Sequence, residues 1–333
     1  MTGAAPLTAA ESAALLAPLS AYNHILLAVS GGPDSMALMA LCARWADAHG
    51  GAPRFSVASV DHGFRPEARS EAEFVCREAA QLGLDARILT RSGAVPQTGL
   101  QEAAREARYD LLYAHARAIG AQALVTAHHA DDQAETVLMR LCRGSGPGGL
   151  AGMRTDTPRG AVVLLRPFLN VPRARITATL AGLGRASIAD PSNSDPRFER
   201  VRLRQLAETL ADLGLSRDRL LLLGQRAARA DAALDRAAEM AWARHRMPGE
   251  QALSFSPGLF GEAQEILLRV LAKALARTVP DRVVRLERLE DLGQALSAAR
   301  AQNEPLARTL GGVLIRLDGA GRLRLTPEGP RRA

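Results

Sequence analysis

Three polar stretches in the first half of the chain hold residue types that can do chemistry. Residues 126–136 read TAHHADDQAET, so that His128, His129, Asp131, Asp132 and Glu135 fall within eight positions. Asp131 and Glu135 stand four apart, a spacing that puts both carboxylates on one helix face, whereas the adjacent Asp131 and Asp132 do not share one. Clustered acids repel unless a cation or a basic substrate neutralises them. An amine nucleophile needs such an environment, together with a base. An acidic helix N-terminus, stabilised by the helix dipole alone, is the plainer reading of the same residues. Zinc is disfavoured, because HHADD does not match H-E-x-x-H and no cysteine is near.

Residues 28–36, Ala28-Val29-Ser30-Gly31-Gly32-Pro33-Asp34-Ser35-Met36, lie between two apolar runs. Gly31 and Gly32 permit positive φ and close backbone approach to a ligand. Pro33 and Asp34 suit a helix start, whose unpaired N–H groups and partial positive charge make an anion site. Ser30 and Ser35 add hydroxyl donors. A turn with an N-cap is the alternative. A Walker A loop needs a lysine after its glycines, and the only lysine is Lys273. The third stretch is Asp61-His62-Gly63-Phe64-Arg65-Pro66. Asp61 can contact a nucleoside and His62 can cap or stack, or the stretch simply announces a helix. Farther on, Arg105 and Arg108 share a face three apart; they can neutralise pyrophosphate or a carboxylate, or form a solvated face.

Elements must hold these groups. Apolar, β-prone runs occur at 24–29, 55–60, 86–89 and 123–127, with helical patterns at 35–48, 67–82, 100–119 and 131–142. The alternation predicts an α/β fold, a doubly wound parallel sheet with helices on both faces. Ligands of such sheets bind beyond the carboxyl ends of the strands. SGGPDS, DHGFRPE and HHADDQAE follow the first, second and fourth strands at that edge. The stretch 144–152 (GSGPGGLAG) reads as a mobile or phosphate-approaching loop rather than an element. A strand-like run at 161–165, a helix at 173–184 and a turn-rich loop at 189–198 follow. Residues 199–246 are arginine-rich and helical, and 313–326 reads as a hairpin around Asp318-Gly-Ala-Gly321. A boundary near 215 divides the chain into domains 1–215 and 216–333, the second smaller and mainly helical.

The 333 residues carry a net charge of +7. Residues 1–150 hold 12 basic and 15 acidic groups, and 151–333 hold 30 and 20, balances of −3 and +10. The second half therefore suits a polyanionic partner, or is a solvated arginine-rich surface. Cys42, Cys76 and Cys142 are sparse and form no CxxC pair, which argues against a disulfide framework and fits a reducing cytosol. Cys76 and Cys142 sit in helical patterns that suggest buried, apolar roles. No stretch reads as a signal peptide or a membrane span.

SGGPDS resembles the loop of the N-type ATP pyrophosphatases, the PP-loop enzymes. Together with VDHGFRPEAR, AREARYDLL, the long block from Thr126 to Met153, LLRPFL and DPSNSDPRFERVRLR, it resembles the tRNA(Ile)-lysidine synthetases. The matching segments run in order from about 24 to 204, nearly two thirds of the chain. One departure is Val201, where the family commonly has asparagine between two arginines. The chain is also short for the family, whose longer members add a further C-terminal domain.

The resemblance implies an ATP-dependent ligation. The wobble cytidine of an isoleucine tRNA with a CAU anticodon is adenylated at carbon 2, and free lysine displaces AMP. ATP would lie against Ala28, Ser30, Gly31, Gly32, Pro33, Asp34, Ser35, Asp61 and His62, with Asp34 holding Mg²⁺. Asp34, Asp131, Asp132 and Arg105 would serve catalysis. Asp131, Asp132, Glu135 and Arg108 would hold lysine. Arg200, Arg202 and Arg204 would meet RNA, as would the basic C-terminal domain. The implied enzyme is cytoplasmic and free of membranes, and a homodimer is compatible with it. A tRNA-thiolating enzyme of the same superfamily and a non-catalytic RNA-binding protein are the rivals. The missing CxxC pairs weigh against the first. The retained Asp34, Ser35, Asp131 and Asp132 weigh against the second.

Overall fold

The computed structural model describes residues 3–61, 63, 67–91, 100–188, 199–248, 252–280, 282 and 284–329. His62 and the loop 189–198 lie outside them, as do the side chains of Arg200 and Val201. The chain divides into two compact units, Met1–Arg226 and Ala227–Ala333. Position 215, the boundary expected from sequence, falls in the turn just ahead of a long helix whose first turns still belong to the first unit.

The first unit opens with α1 (Ala9–Leu16), β1 (His24–Ala28), α2 (Pro33–Ala48), β2 (Arg54–Asp61), α3 (Glu67–Gln81) and β3 (Asp85–Thr90). It continues through α4 (Leu100–Ala118), β4 (Ala123–Val125), α5 (Ala130–Cys142), α6 (Pro147–Leu150), β5 (Asp156–Arg159) and β6 (Val162–Leu165). Helices α7 (Arg173–Gly182), α8 (Glu199–Gln205), α9 (Ala207–Asp212) and α10 (Arg217–His245) follow. The sheet has the order β3-β2-β1-β4-β6-β5, with every pair parallel except β5 against β6. That is the doubly wound arrangement expected from the strand–helix alternation.

β1 sits at the middle of this sheet, and its side chains explain why. Ile25 and Leu27 pack on one face with Met36, Leu38, Phe168 and Ile176 of α2, α7 and the segment before α7. Leu26 points to the other face, against Leu112 and Leu124. A strand buried on both faces needs a continuous apolar run, which HILLAV supplies. α1 is clamped onto the α7 side by the paired Nη hydrogen bonds of Arg175 to Glu11 at 2.8 and 3.0 Å. These bonds, and those from Thr8, hold the Glu11 carboxyl down at about 2. The clamp is therefore complete above the ordinary value of 4.5 and is lost as pH falls toward 2. Hydrogen exchange at α1 is expected to accelerate across that window while β1 stays protected; equal acceleration in both would rule out a local clamp.

Two expectations are corrected in this unit. The glycine-dense stretch 144–152 contains an element, the single helical turn α6, and it is strapped down. Gln133 donates to the Met153 carbonyl and accepts its N–H, at 2.9 and 2.7 Å. Arg140 donates to the carbonyls of Gly149 and Gly152, both at 2.7 Å. Seven apart on α5, these two side chains lie along one face and replace the secondary-structure partners that the loop lacks. Cys142, expected to be buried, is exposed at the end of α5, whereas Cys42 is buried in α2.

The second unit contains the rest of α10, β7 (Arg246–Met247), β8 (Leu253–Phe255), α11 (Gln264–Thr278), α12 (Leu286–Gln302), β9 (Leu306–Leu310), β10 (Val313–Leu317) and β11 (Leu323–Pro327). The expected hairpin is β10–β11. It belongs to an antiparallel sheet of order β7-β8-β11-β10-β9. Val313, Ile315, Leu317, Leu323 and Leu325 alternate inward onto α11 and α12 residues such as Leu271 and Leu296. Lys273 forms an ion pair with Glu239 and lies 4.9 Å from the centre of the Trp242 ring.

Candidate active site

The strand ends do what their position in an α/β sheet requires. After β1 the chain turns through Gly31, whose φ of +86° is strained for any residue with a Cβ. A Cβ there would stand 3.1 Å from Ile188 Cδ1. Gly32 is the N-cap of α2 and Pro33 occupies its first turn. Ser35 Oγ accepts the Ser30 N–H at 3.2 Å, donates to the Gly32 carbonyl at 3.0 Å and lies 3.3 Å from Ser30 Oγ. The serines thus brace the loop as well as lining it.

After β4, His129 is the N-cap of α5, in a reciprocal arrangement with Asp132. His129 N–H donates to Asp132 Oδ2 at 3.1 Å, and Asp132 N–H to His129 Nδ1 at 3.3 Å. His129 is 3% exposed and is the hub of the site. Its ring nitrogens lie 3.7 Å from Asp34, 3.7 Å from Asp131 and 3.4 Å from Asp132. Asp131 Oδ2 also accepts the Arg173 N–H at 2.8 Å, at the start of α7. The N-termini of α2, α5 and α7 therefore meet at one cluster of carboxylates, and helix starts favour negative charge.

Adjacent Asp131 and Asp132 were expected to diverge, with Asp131 and Glu135 on a common face. The capping histidine changes this. Both aspartates flank His129, and it is Asp132 and Glu135, three apart, that share a partner in Arg204. Arg204 forms a two-pronged pair with Glu135, through Nε–Oε1 and through Nη2–Oε2 at 3.2 Å, and lies 3.7 Å from Asp132. Burial opposes the Arg204 charge, but Glu135, Asp132 and Asp34 outweigh it and hold the guanidinium above its ordinary value. Arg204→Ala removes the two-pronged pair from Glu135, whose side chain is 11% exposed. A loss of about 2 kcal/mol in urea unfolding is expected, less than for a fully buried pair because Arg204 remains 35% exposed. Arg204→Lys is expected to recover only part of it.

Asp34 is the least comfortable of the acids. Burial lifts its carboxyl above the ordinary 3.8, with a smaller push from Asp132, against the pull of His129 and Arg173. Arg173 Nε lies 3.3 Å from Oδ2, while Oδ1 is buried and has no hydrogen-bond partner. Such an oxygen suits an incoming cation. Among the described residues no group of three or more histidines, cysteines or acids forms a metal cage. Mg²⁺ fits this donor set, since it takes one or two carboxylates and completes its shell with phosphate and water.

The other anticipated residues are distributed as follows. Ala28 ends β1. Asp61 ends β2 and accepts the Gly63 N–H at 3.1 Å. Arg105 and Arg108 both stack on Tyr109, each 5.4 Å from the ring centre, and neither pairs with the α5 carboxylates. Arg202 is exposed on α8. Two participants are absent from the sequence reading, Arg173 and Arg217, the latter 3.7 Å from Asp131, and His129, though within the stretch singled out, had no site role there. A signal existed for His129, a polar residue directly before a helix start with an acid three positions on. Arg173 and Arg217 carried none, because chain folding alone brings α7 and α10 to the site.

A mostly parallel sheet with SGGPDS at its first strand–helix turn defines a PP-loop domain, and the PP-loop domain family matches residues 6–210. Within it, the chain belongs to the tRNA(Ile)-lysidine synthase family. It is 49% identical to the tRNA(Ile)-lysidine synthase of Methylobacterium nodulans, over 94% of this chain and 93% of that protein. Identity to the Rhodopseudomonas palustris synthase is 47%, over 98% and 96%. The Ralstonia nicotianae synthase is longer: 39% identity covers 89% of this chain but 63% of that protein. Among solved structures, the U34-tRNA thiolase NcsA of Methanococcus maripaludis, determined with its 4Fe-4S cluster, is similar in fold. The TM-score is 0.54 at 15% identity, over 65% of this chain and 78% of that one.

Proposed function

We propose that this protein joins free lysine to carbon 2 of the wobble cytidine of an isoleucine tRNA with a CAU anticodon, converting ATP to AMP and pyrophosphate. The observation that carries this reading is the meeting of SGGPDS, through Asp34, with Asp131 and Asp132 around His129, in a chain of this family. Phosphate-binding N–H groups and amine-binding carboxylates stand side by side.

In the first step the cytidine O2 attacks the α-phosphorus, and the bond from that phosphorus to the pyrophosphate oxygen breaks. The N–H groups at the start of α2 and the hydroxyls of Ser30 and Ser35 receive the pyrophosphate oxygens. Asp34 holds Mg²⁺, which offsets phosphate charge when bound. Arg105 faces the leaving pyrophosphate, and Asp61 and His62 the nucleoside. In the second step the lysine side-chain amine attacks carbon 2. The carbon–oxygen bond to the adenylate breaks, AMP leaves with the electron pair, and the amine proton passes to a carboxylate of Asp131 or Asp132. Glu135 adds negative charge against the lysine ammonium, and Arg108 meets its carboxylate. Arg200, Arg202 and the second unit bind RNA phosphates, which supply affinity, while Arg204 reaches RNA only by giving up Glu135.

The test combines protein, ATP, Mg²⁺, radiolabelled lysine and unmodified isoleucine tRNA. Lysine incorporated into RNA with equimolar AMP and pyrophosphate is the expected result. Sulfur incorporation without lysine would assign a thiolation instead, and RNA binding without turnover would remove the enzymatic reading.

A further inference from the structure

The carboxylates of the site already have basic partners. Glu135 and Asp132 face Arg204, Asp131 faces Arg217, and Asp34 faces Arg173. The three guanidiniums are not held alike. Arg204 makes a two-pronged pair with Glu135. Arg217 lies against Asp218 as well as Asp131. Arg173 pairs with Asp34 alone among the described residues, by a single approach of Nε at 3.3 Å. Its side chain is also the most exposed of the three, at 42% against 39% for Arg217 and 35% for Arg204. Its backbone is pinned, because the Arg173 N–H donates to Asp131 Oδ2 at 2.8 Å. A pinned backbone with a lightly held, exposed guanidinium allows the side chain to turn while α7 stays in place. The carboxylate it covers is the one whose second oxygen, Oδ1, is buried and without a hydrogen-bond partner.

We propose that Arg173 guards the Asp34 carboxylate: in the free protein its guanidinium occupies the acid, and it yields only to a divalent cation that arrives with a polyphosphate. The phosphate oxygens then take the guanidinium. This rests on the metal role given to Asp34 above. A guanidinium and a divalent cation on one carboxylate repel each other, and in a partly buried site that repulsion is worth on the order of tenfold in affinity. A cation alone must bear this cost. A cation bound to phosphate does not, because arginine pairs with phosphate oxygens by parallel hydrogen bonds. Arg173 thus changes partner without being left unpaired. Free cations are kept out, and the carboxylate opens when metal and phosphate come together.

The test titrates the full chain with Mn²⁺, which suits the same oxygen donors as Mg²⁺ and is counted as free ion by paramagnetic resonance. Without nucleotide, Arg173→Ala is expected to bind Mn²⁺ about tenfold tighter than the unaltered protein. Arg173→Lys keeps the charge and stays near the unaltered value. ATP affinity is then measured with and without Mn²⁺, in the absence of tRNA. The factor by which the metal strengthens ATP binding shrinks in Arg173→Ala, since the guanidinium no longer moves to the phosphates. Unchanged Mn²⁺ affinity in Arg173→Ala overturns the proposal, as does an equal gain in Arg173→Lys. An arginine that only supports the fold would lower the melting temperature and leave both metal readings where they were. If Arg173→Ala folds poorly, Arg173→Gln is read in the same way. Adding Asp34→Asn to Arg173→Ala is expected to abolish the gained affinity. If the gain survives, the cation sits elsewhere, and the guard falls together with the metal role of Asp34. Metal readings as expected in a protein that never incorporates lysine would keep the guard and remove the proposed function. Unchanged metal readings beside full lysine incorporation would do the reverse.

Discussion

Asp34→Asn abolishes adenylation and raises the melting temperature of the free protein. The first effect follows from position. Asp34 stands in the first turn of α2, with one carboxylate oxygen against Arg173 and the other buried without a partner. An amide keeps the shape but loses the charge proposed to hold Mg²⁺, and a fall on the order of 10²- to 10³-fold or more in pyrophosphate release is expected. tRNA binding should be near normal, because the residues proposed to meet RNA phosphates do not include Asp34. The second effect follows from burial. The carboxyl is pushed above its ordinary 3.8, so its charged form opposes folding at neutral pH. The folded state then binds more protons than the unfolded one, and stability falls as pH rises from 3.8 through the raised value. The variant lacks this term. Its advantage in melting temperature should be present at pH 7 and shrink toward pH 4. Equal stability at both pH values would mean that Arg173 and His129 already compensate the charge in full. Undiminished pyrophosphate release would remove Asp34 from catalysis.

Gly152→Val unstraps the loop between α5 and β5 and lowers both stability and activity. Gly152 has φ of +74°, where a β-branched residue is strained. A Cβ there would also lie 2.7 to 2.8 Å from the amide atoms of Gln133. The Gln133 side chain can move away only by releasing both of its hydrogen bonds to Met153. Strain and lost bonds together amount to about 2–4 kcal/mol, measurable by urea unfolding. Gln133→Ala removes the bonds and the obstruction together. The double variant should therefore lose less than the sum of the two single ones. Strict additivity would mean that the strap and the glycine are independent. Activity should fall because α5 carries Asp131, Asp132 and Glu135 one or two turns before Arg140, the second strap.

The parallel sheet was legible because its strands are short apolar runs that alternate with helices of ordinary length. Its loops were legible because chemistry concentrates at the carboxyl edge. SGGPDS and HHADDQAE could be placed at one edge without any coordinates. Three things were hidden. β5 reads Asp-Thr-Pro-Arg, with no apolar alternation, since it is an edge strand held by β6 alone. β7 to β9 are similarly short or polar, so the hairpin at the end of the chain looked isolated when it is the middle of a sheet. The partners of the acids were hidden for a different reason. Asp131 is 42 residues from Arg173, and Glu135 is 69 from Arg204. No local spacing encodes such pairs. Arg204 in particular reads as a free cation in RVRLR until the fold brings it to Glu135.

Lys273 has a use that its packing creates. An endoprotease that cuts only after lysine has a single site in this chain, in the interior of α11. The side chain there is 23% exposed and held by Glu239 and Trp242. A protease must straighten several residues on either side of its target bond, so an intact helix is a poor substrate. Cleavage into two fragments would then occur only through transient opening of the C-terminal unit. When reclosing outpaces cutting, the rate of fragment appearance measures the free energy of that opening. The nearly lysine-free composition thus makes the protein its own single-site clock for the opening of one unit, without labels or substitutions.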